Sequence, residues 1–369
     1  MDARAKAATV IRNHDLAYPI VVASSVRNIL RDFFKDRGIK RFVVLCDRNV
    51  AGIARQLTDG VAGRAALDAF ALGERRKTLE TVRSILEELS RAGADRDTLV
   101  VGVGGGVASD VFGLGAAMYM RGLPYVHVAT TLLAMVDAAI GGKVGVNLSN
   151  GKNLAGVFCD PLAVFAHIDA LWSLPYRNIR EGLAEMVKHA IIEGGELFES
   201  LETLAPHPFA KWPWENVVAD SLKVKTMIVN DDRVERGARE ILNLGHTFAH
   251  GVERASDYRI SHGAALSVGL RAAGLLALRT GRFSKAEHLR VLTLLTLLKL
   301  PVRSREPSAK IWNAMQNDKK KREGRLRFVL PRAIGDVEFG VHVKEAWVRG
   351  VLERCSTQIA PSEFAARSA

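Results

Sequence analysis

The chain has 369 residues, 48% of them hydrophobic and 25% charged, with a formal net charge of +12. That length supports two domains with real cores, the balance is that of a globular enzyme, and no apolar run is long enough to span a bilayer. Cys46, Cys159 and Cys355 are odd in number and far apart, which argues against a disulfide framework or a cysteine-based zinc site and suits a reducing cytoplasm. The positive charge suits an anionic partner. The basic runs Lys35–Arg41 and Lys319–Arg327 lack interleaved aromatics and accompany no helix-turn-helix or zinc-finger spacing, so nucleic acid is not expected. The stretch Met1–Val22 has no apolar core followed by a small-residue cleavage site, so no signal peptide is expected.

In chain order, Tyr18–Val22 and Arg41–Cys46 read as buried strands, with a helix over Asn28–Lys35 between them. Thr78–Ala92 is amphipathic, with Val82, Ile85, Leu86 and Leu89 on one face. Thr98–Val103 is a buried strand and Pro124–Ala129 another. Strands alternating with helices predict a mostly parallel sheet, a Rossmann-like α/β nucleotide-binding domain over residues 1–175. After Ser173–Pro175 the character changes. Arg180–Glu193, Val217–Asn230, Ile241–Arg254, Ala264–Arg279 and Lys285–Leu298 read as helices, and Leu326–Leu330 is the best strand signal. A mainly α-helical domain over 176–355 is predicted, and 356–369 as a frayed tail.

Gly102–Asp110 follows a strand and opens a helix. Its glycines let backbone approach a pyrophosphate, although the string is not a clean G-x-G-x-x-G and a ligand-free turn has the same composition. Asp47 and Asn49 follow the second strand, where a ribose could be met or a helix capped. From Tyr119 to Lys188 polar groups stand among small residues: Arg121, Thr130, Thr131, Asp137, Lys143, Asn147, Lys152, Asn153, Glu185 and Lys188. Glycines before Lys143 and Lys152 permit tight turns from which a lysine could point inward at phosphate oxygens. Glu185 and Lys188 share a helix face, where a surface ion pair is the plain alternative. Further on, His246 and His250 are four apart and so share a face, with Arg239, Asn243 and His262 nearby in sequence. Imidazoles so placed are common zinc ligands, although each alone also fits a hydrogen-bonded core residue.

Taken together these blocks resemble 3-dehydroquinate synthase of the sugar-phosphate cyclase superfamily. The matching strings are Gly73–Lys77, Gly104–Asp110, Tyr119–Gly122, Thr130–Asp137, Gly141–Asn147, Gly151–Asn153, Gly182–Lys188, Leu242–His250 and Asp318–Lys320, in order over roughly residues 15 to 345. The resemblance implies NAD on the N-terminal sheet and a divalent metal, zinc or cobalt, held by Glu185, His246 and His262. NAD would be met by Asp47, Asn49, Glu74, Lys77, Gly105, Gly106, Val107, Asp110, Thr130, Thr131, Lys143, Lys152 and Ser173. Substrate would be met by Asp137, Lys143, Asn153, Lys188, Lys225, Arg239, Asn243, His250 and Lys320, with Arg121 reaching from a second subunit of a homodimer. The implied reaction is phosphate elimination and ring closure of 3-deoxy-D-arabino-heptulosonate 7-phosphate to 3-dehydroquinate, a lyase step of the shikimate pathway to aromatic amino acids.

Arg239 bears on the choice within the superfamily, because a guanidinium grips a carboxylate in two-point fashion. Relatives that cyclise sedoheptulose 7-phosphate have no carboxylate to bind; an aminodehydroquinate synthase keeps it. Two departures from the family pattern stand out. Ala264 replaces the usual glutamate two residues after His262, removing a carboxylate near the metal, and Ser109 replaces a common glycine in the nucleotide loop. Both leave room for a specialised sibling cyclase. A glycerol-dehydrogenase-like oxidoreductase and a non-catalytic nucleotide- or nucleic-acid-binding protein are the rival classes.

Overall fold

The computed structural model describes residues 9–11, 18–149, 151–233, 237–316 and 326–356. Two compact units result: Met1–Gly182 with Pro213–Asn230, and Leu183–Trp212 with Asp231–Ala369. No helix among the described residues is long and apolar enough to cross a membrane. Of the tail expected over 356–369, Ser356 is described and is buried, its N–H donating to Glu353 O at 3.3 Å, and the rest lies outside the described residues, as does Lys320.

The first unit runs β1 (Thr9–Ile11), β2 (Ile20–Ala23), α1 (Arg27–Asp36), β3 (Phe42–Asp47), α2 (Ala51–Thr58), β4 (Arg64–Phe70), α3 (Leu79–Arg91), β5 (Leu99–Gly104), α4 (Gly106–Met118), β6 (Tyr125–Ala129), β7 (Lys143–Leu148), β8 (Gly151–Phe158) and β9 (Ala163–His167). Its main sheet has the order β1-β2-β9-β6-β5-β3-β4. All pairs are parallel except β1 with β2. Alternation along each strand supplies two cores, one per face. Val44, Val101 and Val103 pack with α1 and α2; Val43, Leu45 and Val100 pack with α3 and α4. Thr78 caps α3 by accepting from Thr81 N at 3.3 Å, and Val82, Ile85 and Leu89 are its buried stripe.

The chain steps from β3 outward to β4, then crosses back so that β5 lies on the other side of β3. This reversal is a topological switch point, where open α/β sheets leave a crevice beyond the strand ends. Asp47 ends β3 and Gly104 ends β5, so both stand at that point.

The second unit takes the C-terminal part of α5 (Tyr176–Glu193) and then α6 (Gly195–Leu204). After α7 (Trp214–Asp231), which belongs almost wholly to the first unit, it continues with α8 (His246–Ala255), α9 (His262–Arg279), α10 (Lys285–Leu297) and α11 (Ser308–Gln316). The hairpin β10 (Phe328–Ala333) and β11 (Asp336–Val341) and then α12 (Glu345–Cys355) complete it. It is mainly helical, as its sequence implies.

Three local differences from the sequence expectation have clear causes. The edge strand β4 is half exposed and carries no apolar run, so its signal is faint. Lys143 and Lys152 lie in the β7–β8 hairpin rather than in turns, and Lys143 is exposed at its start. The helix expected from Ile241 begins only at His246. Residues Ala238–Asn243 form a 3-10 segment, and Gly245, at φ 78°, reverses the chain before α8. That glycine is required, because an added Cβ would lie 2.9 Å from Leu270 N in α9.

Candidate functional site

The first unit assembles a nucleotide-type loop. Gly104, Gly105 and Gly106 turn from β5 into α4 so tightly that a Cβ would meet Ala108, Thr131 or Ala138 at 2.4, 2.9 and 3.0 Å respectively. Val107 and Asp110 lie in the first turns of α4, where N–H groups and the helix dipole favour an anion. Thr130 is buried beside the loop, its N–H donating to Gly104 O at 2.9 Å, and its Oγ1 has no hydrogen-bond partner among the described residues. A narrow glycine cradle flanked by an unsatisfied buried hydroxyl fits a dinucleotide. Asp47 Oδ1 accepts from Asn49 N at 2.9 Å, so the aspartate caps the following turn while standing at the switch point. Ser109 is buried, and its hydroxyl donates to Gly105 O at 3.3 Å within α4, so the serine is accommodated without disturbing the glycines.

Around this loop stands a polar network. Lys77 is buried and its ammonium contacts both Asp110 and Asn153. Burial pushes the Asp110 carboxyl up to about 6 despite the opposing pull of Lys77. Asn153 has φ 53°, and its N–H donates to Asn147 Oδ1 at 2.9 Å. Asn147 Nδ2 donates to Glu74 Oε1 at 2.8 Å, and Lys152 Nζ lies 3.7 Å from the same oxygen. Thr131 Oγ1 accepts from Ala134 N at 3.2 Å and so starts the helical turn that carries Asp137. Asp137 in turn receives the buried ammonium of Lys225. Ser173 is exposed, its hydroxyl donating to Ala170 O at 2.8 Å. Arg121 is exposed on a 3-10 turn at φ 69°.

The second unit assembles the other cluster. Glu185 on α5 is fully buried. Its Oε1 lies 2.9 Å from His262 Nε2 and 3.5 Å from His246 Nε2. One ligand atom from each of the three lies within 4.8 Å of the others. Lys188 Nζ stands 2.5 Å from Glu185 Oε2. Burial would raise the Glu185 carboxyl, but Lys188 and the two imidazoles outweigh it and hold the group well below the usual range. Burial depresses His246 to about 4. The same burial opposes protonation of His262, yet Glu185 and Glu253 together raise it to about 10. His250 stacks edge-on to His246, ring centroids 5.6 Å apart, and stays outside the three-ligand group. Arg239 is buried, its Nη1 donating to Arg233 O at 2.6 Å and its N–H to Asp232 Oδ2 at 3.2 Å. Asn243 ends the same 3-10 segment.

The donor set fits a divalent cation. His246 Nδ1 lies 3.3 Å from Leu244 O and His262 Nδ1 lies 3.6 Å from Glu253 Oε1. His246 Nδ1 is thus within hydrogen-bond reach of a backbone oxygen, a carboxylate stands on the Nδ1 side of His262, and both imidazoles present Nε2 toward the Glu185 carboxylate. Once a cation displaces the Nε2 proton of His262, two neutral imidazoles and one carboxylate would form a donor set seen in catalytic zinc sites. Sequence reasoning missed Glu253, although it lies seven residues after His246, on the same stripe of α8.

A doubly wound sheet with a glycine loop at its switch point, joined to a helical unit carrying this donor set, defines a class of two-unit enzymes that pair a nucleotide cofactor with a metal. Residues 69–181 match the family model described as 3-dehydroquinate synthase N-terminal, and residues 182–321 the one described as 3-dehydroquinate synthase C-terminal. The 3-dehydroquinate synthase of Desulforamulus reducens is 36% identical over 349 residues, covering 92% of this chain and 97% of that protein. A 2-epi-5-epi-valiolone synthase from Streptomyces hygroscopicus, solved with NAD+ and Zn2+ bound, superposes with a TM-score of 0.83 at 27% identity, covering 94% of this chain and 98% of its own. A 2-deoxy-scyllo-inosose synthase, solved with carbaglucose-6-phosphate, NAD+ and Co2+, shares the fold at a TM-score of 0.84 and 24% identity over 95% of this chain and 100% of that one. The chain belongs to the 3-dehydroquinate synthase family.

Proposed function

We propose that this chain is a 3-dehydroquinate synthase, converting 3-deoxy-D-arabino-heptulosonate 7-phosphate to 3-dehydroquinate with release of phosphate. The observation that carries the reading is the cluster of buried Glu185 with half-buried His246 and His262, the carboxylate ion-paired to buried Lys188. The near full-length likeness to a 3-dehydroquinate synthase supports it over the sibling cyclases.

The loop Gly105–Asp110 with Asp47, Lys77 and Thr130 would hold NAD, which would supply a temporary acceptor for a substrate hydride that is later returned, and Glu185, His246 and His262 would hold a zinc or cobalt ion, which would supply polarisation of substrate oxygens. The chain's own residues do the orienting. Arg239 takes the substrate carboxylate in a charge-assisted pair. Lys143, Lys152 and Asn153 meet phosphate oxygens. Lys188 and His250 hold protons beside the metal ligands, and Lys225, fixed by Asp137, presents a further positive charge. Because the hydride is returned, the net reaction is elimination and ring closure rather than redox.

A sibling cyclase of secondary metabolism is the second reading, favoured by Ala264 and by the fold shared with a valiolone synthase. Phosphate release from the carboxylated heptulosonate phosphate and from sedoheptulose 7-phosphate, each with NAD and zinc and with products identified by mass, separates the two. Turnover of the first alone is expected, and Arg239→Ala should lose most of it. Turnover of the second alone would overturn the reading. Stoichiometric NADH release would instead point to a dehydrogenase.

A further inference from the structure

We propose that Glu253 is a positioning residue of the metal site, fixing the tautomer of His262 that presents Nε2 to the cation. The inference rests on the reading of Glu185, His246 and His262 as ligands. Glu253 is 2% exposed, and its Oε1 faces His262 Nδ1 at 3.6 Å while His262 Nε2 faces Glu185 Oε1 at 2.9 Å. A neutral imidazole carries one proton, on one nitrogen or the other. A carboxylate on the Nδ1 side draws the proton there, leaves the Nε2 lone pair for a metal and makes it a better donor.

The two imidazoles are held differently. His246 Nδ1 faces a backbone oxygen, Leu244 O, which no substitution removes. His262 depends on a side chain. Glu253 itself comes from α8, so the ligand on α9 is oriented by the helix that also begins with His246.

The test is cobalt binding to metal-stripped full-length protein, with Kd from chelator competition and the d–d absorption bands read for wild type, Glu253→Gln, Glu253→Leu and His246→Ala. Thermal melting of each metal-free form reports folding separately. Glutamine keeps one acceptor oxygen and should weaken cobalt several-fold. Leucine removes the acceptor and should weaken it 10- to 100-fold and shift the d–d bands. A folded Glu253→Leu protein with wild-type Kd and spectrum overturns the proposal. If that variant does not fold, a Glu253→Gln protein with wild-type Kd and spectrum overturns it equally. Failure of the underlying metal reading looks different: wild type then takes up no stoichiometric cobalt, or His246→Ala binds as wild type does.

Discussion

Lys188 Nζ lies 2.5 Å from Glu185 Oε2, in a pair whose side chains are 2% and 0% exposed. Three residues apart on a helix, the same two side chains at a surface would be worth almost nothing. Enclosed, they hold each other's charge, and the other carboxylate oxygen is left facing two imidazoles. The ammonium thereby supplies, in the metal-free protein, part of the positive charge that a cation would supply.

Lys188→Met should therefore destabilise the metal-free protein by about 3–5 kcal/mol, because it removes the ammonium paired to a buried carboxylate. Saturating zinc should recover part of that loss, since a cation on Glu185 replaces the ammonium. Urea unfolding with and without zinc reads both. Equal losses in the two conditions would show that Lys188 and the metal do not share the carboxylate.

Gly269 in α9 sets how closely α8 begins against it. A Cβ there would lie 2.2 Å from Gly245 O and 3.1 Å from Ala249 N, both backbone atoms that cannot swing aside. Gly269→Ala should cost at least the ~1–3 kcal/mol of an overpacked core. Because α8 starts at His246 and α9 at His262, it should also loosen zinc binding. A variant with wild-type thermal midpoint and zinc affinity would refute the packing argument.

Lys77 ties Asp110 of the glycine-loop helix to Asn153 of the β7–β8 hairpin. Lys77→Met removes the positive charge that opposes the burial-driven rise of the Asp110 carboxyl, so that carboxyl should hold its proton to a still higher pH. Loss of a charge-assisted contact of ~1.5–3 kcal/mol should weaken NAD+ binding by about tenfold or more. Titration calorimetry with NAD+ at neutral pH measures this, and an unchanged Kd would remove Lys77 from the nucleotide site.

His127 lies inside β6, its ring 5.0 Å from that of Tyr125, and burial depresses it to about 3. The unfolded chain takes up this proton near pH 6.5, whereas the folded chain resists it. Its stabilising contribution is thus full above pH 6.5 and falls as pH drops, by about 2 kcal/mol between pH 6.5 and 5. His127→Gln should flatten the acid limb of unfolding free energy against pH by that amount. Parallel acid limbs for the two proteins would mean that other groups control it.

The amino-acid sequence by itself determined whatever repeats or punctuates locally. Alternating apolar strands and helical stripes specified the α/β first unit and the helical remainder. Glycine-rich turns marked the loop after β5, and the placement of Glu185 three residues before Lys188 put them on one face. Only the tertiary structure decided which strands lie side by side, and hence that Asp47 and Gly104 meet at the switch point. It also decided that the Glu185–Lys188 pair is interior, that α8 starts at His246, and that Glu253 stands behind His262. The reason is physical. Period and turn chemistry act over a few residues, whereas burial, close helix approach and imidazole orientation depend on partners distant in sequence, as Gly245 depends on Gly269.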